Sequence, residues 1–272
     1  GTHREDGVAH AWRQPRLPQT DGGSQSQGRN DQSYRFQANR QANAEGQPGG
    51  QTQARLFKPP RQQRVDPNFT FPRRLSMQLE NKVAVITGGG SGIGRESTFR
   101  FVEEGASVVI ADLNRETGEA TLEQARERGI IERVRFVATD VSKEEDIQRA
   151  VETAVAEFGR LDCMFNNAGI PGALGPLEEM DVADWDFTFA VLVRGPFLGL
   201  KHAARQFKKQ GTGGVVLHTS SVSSLVGAAG PRAYAVAKAA VSHMAKVAAV
   251  DMAAYRIRVN AIAHLASELS AF

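Results

Sequence analysis

Three side chains in the last quarter of the chain, Ser221, Tyr234 and Lys238, are of the right types to move a proton together. Tyr234 and Lys238 stand four residues apart, so on a helix they share one face. A free phenol releases its proton only near pH ~10 and alone is a poor acid–base group at neutral pH. An ammonium one turn away favours the phenolate. Ser221 follows an apolar run and can donate a hydrogen bond to a substrate oxygen. Tyrosine and lysine meet at this spacing by chance on many helix surfaces, so the pair gains meaning only from its company. That company is the run Thr87–Gly94, TGGGSGIG, with glycine at 88, 89, 90, 92 and 94. It follows the apolar stretch Val83–Ile86 and leads into a segment of helical composition, Arg95–Glu104, with Gly105 placed to end it. Strand, glycine turn and helix in this order make an anion site. Glycine lets backbone approach a pyrophosphate, and the helix start offers unpaired N–H groups and a positive dipole end. A glycine-rich corner with no ligand is the plainer reading, which the strand–turn–helix context disfavours.

Asp112 closes the next apolar run, 24 residues after Gly88, where a carboxylate can accept hydrogen bonds from an adenosine ribose. It would repel a 2′-phosphate, and Arg115 is the one arginine close behind it, so NAD is expected over NADP. As a helix N-terminal acid alone Asp112 would be unremarkable.

These residues need a scaffold, and the alternation of elements supplies one. Strands are read at 83–86, 107–111, 133–138, 161–167, 215–219 and 256–262. Helices are read at 95–104, 114–128, 143–158, 182–209 (bent by Pro196) and 231–254. Ser142 with Glu145 has the spacing of a capping box for the third helix. Strands alternating with helices imply an α/β fold, a doubly wound parallel sheet with right-handed crossovers. Ligands bind such sheets past the carboxyl ends of the strands, where Asp112, Asp140, Asn167 and Ser220–Ser221 all fall.

Composition bounds the remaining possibilities. The net charge of +3 conceals a split: residues 1–76 hold 12 Lys/Arg against 6 Asp/Glu, and residues 77–272 hold 21 against 24. The basic excess belongs to the first segment, so the rest gives no argument for a nucleic-acid partner. Residues 1–76, rich in Gln, Arg, Gly, Asn and Pro, cannot bury enough apolar surface to offset ordering entropy and are read as a disordered tail. Met77 just ahead of the first strand is read as the native start, with the tail lying upstream of it. No apolar run is long enough for a membrane span. The single cysteine, Cys163, excludes an intrachain disulfide and favours a cytoplasmic setting. His202, His218 and His243 lack metal-ligand spacing and are read as ordinary helix and strand residues.

Taken together, Thr87–Gly94, Asp112, Asp140-Val141, Asn166-Asn167-Ala168-Gly169, Ser221, Tyr234-x-x-x-Lys238 and Arg258-Val259-Asn260 resemble the short-chain dehydrogenase/reductase family of single-domain Rossmann proteins, over residues 77–262. The resemblance implies that Gly88, Ser91, Gly92, Ile93 and Gly94 cradle the cofactor's pyrophosphate and that Asp112 holds its adenosine ribose. It implies that Asp140 and Val141 flank the adenine and that Asn167, Ala168 and Gly169 line the middle of the cofactor. Tyr234 would be the acid–base, Ser221 would polarise the carbonyl or alcohol, and Lys238 would bind the nicotinamide ribose and assist Tyr234. Pairing of two copies through the alanine-rich helix and the long helix before it is implied as well.

Three positions leave the family pattern. The family's relay asparagine in the long helix corresponds to Leu192, which cannot hydrogen-bond. His264 and Leu265 stand where the family continues with proline and glycine, and the chain ends at Phe272, before the usual lid and last strand. The expectation is therefore a C-terminally truncated Rossmann domain over 77–272 with its sixth strand as an open edge. Its activity is expected to be hydride transfer between NAD(H) and a secondary alcohol or ketone, a small-molecule substrate. The competing expectation is a dinucleotide-binding fragment without turnover.

Overall fold

A computed structural model describes residues 77–226 and 230–264. The chain divides into two units, Gly1–Val65 and Asp66–Phe272, and the fold below belongs to the second. The expected disordered tail and the altered ending after His264 lie outside the described residues.

The described residues form six strands and six helices, beginning β1 (Val83–Thr87), α1 (Gly92–Glu103), β2 (Ser107–Asp112), α2 (Arg115–Glu127), β3 (Val134–Ala138) and α3 (Glu144–Phe158). These are followed by β4 (Cys163–Asn166), α4 (Val182–Phe189), α5 (Gly195–Gln210), β5 (Gly214–Ser221), α6 (Arg232–Met252) and β6 (Ile257–His264). The strands form one parallel sheet in the order β3-β2-β1-β4-β5-β6. The chain winds outward from β1 to β3, then crosses to β4 on the other side of β1. That reversal opens a crevice at the carboxyl ends of β1 and β4.

Strand alternation feeds two cores. Val83, Val85, Val109, Ala111 and Val216 point to one face and are covered by side chains such as Ala150, Ala154, Phe207, Ala245 and Ala248 of α3, α5 and α6. Ala84, Ile86, Val108 and Ile110 point to the other and meet Phe99, Val102 and Ala125 of α1 and α2. A strand covered on both sides has no polar register, which is why the central strands read as unbroken apolar runs. β6 is outermost among the described residues; Ile257 and Val259 are buried on one face while Arg258, Asn260 and Ile262 are exposed on the other.

Two local expectations are corrected. Ser142 does not cap α3. Asp140 Oδ1 is the stronger acceptor and takes both the Ser142 hydroxyl at 2.7 Å and its N–H at 3.0 Å, while Asp146 accepts the Asp140 N–H at 2.8 Å. The long fourth helix is not simply bent at Pro196. It passes through a π-turn at Ala190–Arg194 and resumes as α5 with Pro196 in its first turn. The proline ring clashes with a carbonyl four residues back, at Leu192, so the wider turn falls just ahead of it.

α5 approaches β4 closely enough that Gly199 has no room for a side chain: a methyl there would overlap Asn166 Oδ1 and crowd Met164 Cε at 2.8 Å. Gly199→Ala is therefore expected to cost roughly 1–3 kcal/mol in a denaturant titration. An unchanged midpoint would show that the α5–β4 contact is looser than described.

Candidate active site

The glycine turn is fastened from three sides. Gly88 N–H donates to the Ala111 carbonyl at 2.8 Å, Gly90 N–H to Asp112 Oδ2 at 2.8 Å, and Thr121 Oγ1 to the Gly90 carbonyl at 3.0 Å. Asp112 also accepts the Asn114 N–H at 2.9 Å, so this carboxylate ties the turn to the start of α2. Gly88 has φ +66°, and a methyl there would lie 2.9 Å from Ala168 Cα. At Gly94 a methyl would overlap the Gly88 carbonyl. Ser91, the exposed N-cap of α1, makes no side-chain cap bond, and the first turn holds no acid. Gly92 faces open space. A pocket of backbone closed to side chains, at an uncapped helix start, fits a pyrophosphate.

β4 delivers Asn167, Ala168 and Gly169 beside this turn. Thr87 Oγ1 accepts the Asn167 N–H at 2.9 Å and the Ala168 N–H at 3.0 Å. The Asn167 amide donates to the Thr87 carbonyl at 3.1 Å and accepts from Thr219 Oγ1 at 3.1 Å. The Thr219 carbonyl in turn accepts from Lys238 Nζ at 2.7 Å. One continuous run of hydrogen bonds thus leads from the glycine turn to the lysine. Thr219 and Ser223 were not singled out in the sequence, because a threonine or serine at a strand end looks like any β-former until its partner strand is known.

Lys238 is 4% exposed. Burial pushes its ammonium down to about 8. Its nitrogen lies 5.4 Å from the centroid of the Tyr234 ring, as expected for one turn of separation. A methyl at Gly169 would sit 3.4 Å from Leu192 Cδ2 and 3.8 Å from Lys238 Nζ, so these three residues adjoin. Leu192 is fully buried in a cluster with Val141, Ile147 and Ala237, against which Tyr234 and Ala168 also pack. Ser221, 4% exposed, donates to Ser223 Oγ and accepts the Ser223 N–H, both at 3.2 Å. Its neighbour Ser220 faces α6 instead, donating to the Lys238 carbonyl at 3.2 Å and lying within hydrogen-bond distance of Ser242 Oγ at 2.6 Å. Asp140 spends Oδ1 on its own turn, and Val141 is buried beside Gly195, where a methyl would lie 3.1 Å from its side chain. The structure therefore gathers Gly88, Asn167, Ala168, Gly169, Val141, Tyr234 and Lys238 around one crevice. Asp112 stands behind the glycine turn on β2.

A glycine turn at the switch point of a doubly wound sheet, bridged by hydrogen bonds to a buried lysine, defines a Rossmann-type protein. Comparison with known proteins narrows the class. The profile of the family described as short chain dehydrogenase matches residues 82–266. An uncharacterized oxidoreductase of Thermotoga maritima is 44% identical over 186 residues, covering 68% of this chain and 72% of its own. Tropinone reductase-like 1 of Erythroxylum coca is 41% identical, with 68% of this chain and 67% of its own covered. Among solved structures, NAD+-bound xylitol dehydrogenase superposes with TM-score 0.64 at 35% identity over 68% of this chain and 70% of its own. Levodione reductase gives 0.65 at 36% over 68% and 72%. The chain belongs to the short-chain dehydrogenase/reductase family and is an oxidoreductase of that type, whose family binds nicotinamide dinucleotides. No helix among the described residues is long and apolar enough to cross a membrane.

The displaced Lys238 gives a test by linkage. The folded chain holds fewer protons at this site than the unfolded one between about 8 and the ordinary 10.5. Stability contributed by the site therefore rises with pH through that window. A Lys238→Met variant should lose this rise, read as the difference in unfolding free energy between pH 8 and pH 10. Parallel curves for the two proteins would mean that the ammonium is not buried in solution.

Proposed function

We propose that this chain interconverts a secondary alcohol and its ketone with NAD(H), using Ser221, Tyr234 and Lys238 as the catalytic group within a domain spanning 77–272. The observation that carries this reading is the run of hydrogen bonds from the glycine turn through Asn167 and Thr219 to Lys238, which couples a nucleotide cradle to an acid–base helix. On this reading Gly88, Ser91, Gly92, Ile93 and Gly94 hold the pyrophosphate, Asp112 the adenosine ribose, Asp140 and Val141 the adenine edge, and Asn167, Ala168 and Gly169 the central stretch. The backbone pocket at Gly88–Gly94, too tight for side chains and uncapped at α1, fits that group. When bound, the nicotinamide gives or takes the hydride.

The chain's own residues handle the proton and the position. Lys238, held on the Thr219 carbonyl, keeps a positive charge one turn from Tyr234, its nitrogen 5.4 Å from the ring centroid. Tyr234 accepts the hydroxyl proton of the alcohol, or donates it to the ketone in the reverse direction. Ser221 turns its hydroxyl from Ser223 to the substrate oxygen. Replacing Tyr234 by Phe should lower kcat by about 10²–10⁴-fold in an assay of NADH absorbance over a panel of secondary alcohols. NAD affinity, read by fluorescence titration, should stay within about threefold. Parallel loss of both would contradict the role, and NAD binding with no turnover by the unaltered chain would favour a binding-only protein.

NAD rather than NADP follows from Asp112, whose carboxylate would repel a 2′-phosphate, and from Arg115, which is drawn toward Glu119 at 3.7 Å. The NAD+-bound state of the similar xylitol dehydrogenase supports the same choice. Asp112→Ala should shift the ratio of kcat/KM values toward NADP by at least about tenfold, since one charge contact is worth about 1.4 kcal/mol or more. An unaltered ratio would remove Asp112 from cofactor selection. The substrate is read as a small molecule in the cytoplasm.

A further inference from the structure

β5 and β6 stay in register to their carboxyl ends, where Ser221 pairs with His264. Directly paired residues in a parallel ladder carry their side chains on the same face, with backbones ~4.8 Å apart. The side chains of His264 and Ser221 therefore lie on the same face of adjoining strands. The residue is partly exposed, yet its Nδ1 is buried and has no hydrogen-bond partner among the described residues. Ser221 meets Ser223 only at the long distance of 3.2 Å, so its hydroxyl is held weakly. The opposite wall of the site is dry: Leu192 and its cluster of Val141, Ile147 and Ala237 offer Lys238 no polar side chain.

Among the described residues, few titratable groups are placed near His264. From β5 come Ser221 and, three positions earlier on the other face of the sheet, His218, which burial pushes down to about 4 and keeps neutral. From α6 comes the Lys238 charge. Burial, and then the Lys238 charge, hold the His264 imidazole below its ordinary range, so it is a neutral proton acceptor at pH 7. Arg258 lies at the far end of β6 and faces solvent.

We propose that His264 is the proton outlet of the Ser221–Tyr234–Lys238 group, carrying to solvent the proton that alcohol oxidation releases. This rests on the acid–base reading above. The substrate hydroxyl gives its proton to the Tyr234 oxygen; the Tyr234 hydroxyl then gives a proton to Ser221 Oγ as the Ser221 hydroxyl proton passes to His264 Nδ1. The imidazole releases its other N–H proton to water, and a ring tautomer change restores it. One proton leaves by this relay for each alcohol oxidised, and within the relay only O–H and N–H bonds change, the hydride leaving the substrate carbon separately. An imidazole suits this, being the side chain that exchanges protons near neutral pH.

The test compares the full chain with His264→Gln. Substitution should lower kcat for alcohol oxidation at least tenfold in dilute buffer and leave the KM for NAD unchanged. Added free imidazole should restore most of the rate, which it would not do for a misfolded or mispacked site. Separately, the His264 ring titration is followed by proton–nitrogen NMR in the unaltered chain, in Lys238→Met and in Ser221→Ala. Its midpoint should lie below the ordinary 6.5 and rise in Lys238→Met, because removing a cation favours the imidazolium. Ser221→Ala should also move it. A His264→Gln enzyme with undiminished kcat, or a deficit that imidazole cannot relieve, overturns the proposal. So does a His264 midpoint indifferent to both substitutions. Should the unaltered chain oxidise no alcohol at all, the acid–base reading fails and takes the outlet with it, whereas an active chain with an uncoupled His264 sinks the outlet alone.

Discussion

A positive charge buried at the end of a strand is the constraint around which this fold is arranged. Lys238 has lost nearly all contact with water, and the Thr219 carbonyl is its one protein acceptor among the described hydrogen bonds. Taking an ammonium out of water is expensive, and here the cost shows as a proton held less tightly than in a free lysine. The expense is tolerated because the acceptor is rigid. Thr219 is the penultimate-but-one residue of β5, and its side chain is tied to Asn167, which is tied to Thr87 on β1. Three adjacent strands and α6 thus share one polar bracket, and a displacement of any one would leave a buried donor or acceptor unmet.

The same bracket explains why the glycine turn needs so many small residues. With Thr87 Oγ1 accepting two N–H groups from the β4 end, the turn is drawn against Ala168 until nothing larger than hydrogen fits at Gly88. Asp112 works from the other side, pulling Gly90 toward β2. The turn is therefore held between β4 and β2 by the chain's own hydrogen bonds. Its remaining freedom lies at Ser91 and Gly92, which face outward and bear no side-chain bonds.

Much of this was legible in the linear chain. Apolar runs closed by Asp112 and Asn167, glycines after the first run, and Tyr234 four residues ahead of Lys238 are local signals with local meanings. A parallel sheet covered on both faces follows from the alternation of elements, while the order of its strands comes from the structure. What stayed hidden depended on partners distant in sequence. Thr219 is 52 residues from Asn167 and 19 from Lys238, so neither its hydroxyl nor its carbonyl could be assigned a role before the strands were laid side by side. Ser142 illustrates the opposite failure. Its spacing to Glu145 obeys a local rule, but an aspartate two residues back offers a charged acceptor, and charge-assisted bonds are the stronger ones. Pro196 marked a break in the long helix correctly; the geometry of the break, a π-turn one step earlier, depends on how its ring meets the preceding carbonyl.

That π-turn bears on the chemistry. By widening the helix at Ala190–Arg194 it carries Leu192 into full burial beside Lys238, where Val141 and Ala237 close around it. Leu192, apolar on that side, gives Lys238 no side-chain hydrogen-bond partner at this position. It also lowers the local polarity and so deepens the penalty on the lysine charge. The register of β5 and β6 pairs His264 with Ser221. A buried acid–base group needs some polar contact with the outside, because its protons must come and go. Where one wall is sealed by leucine, the burden falls on whatever titratable side chain occupies the other, and in this chain that side chain is His264.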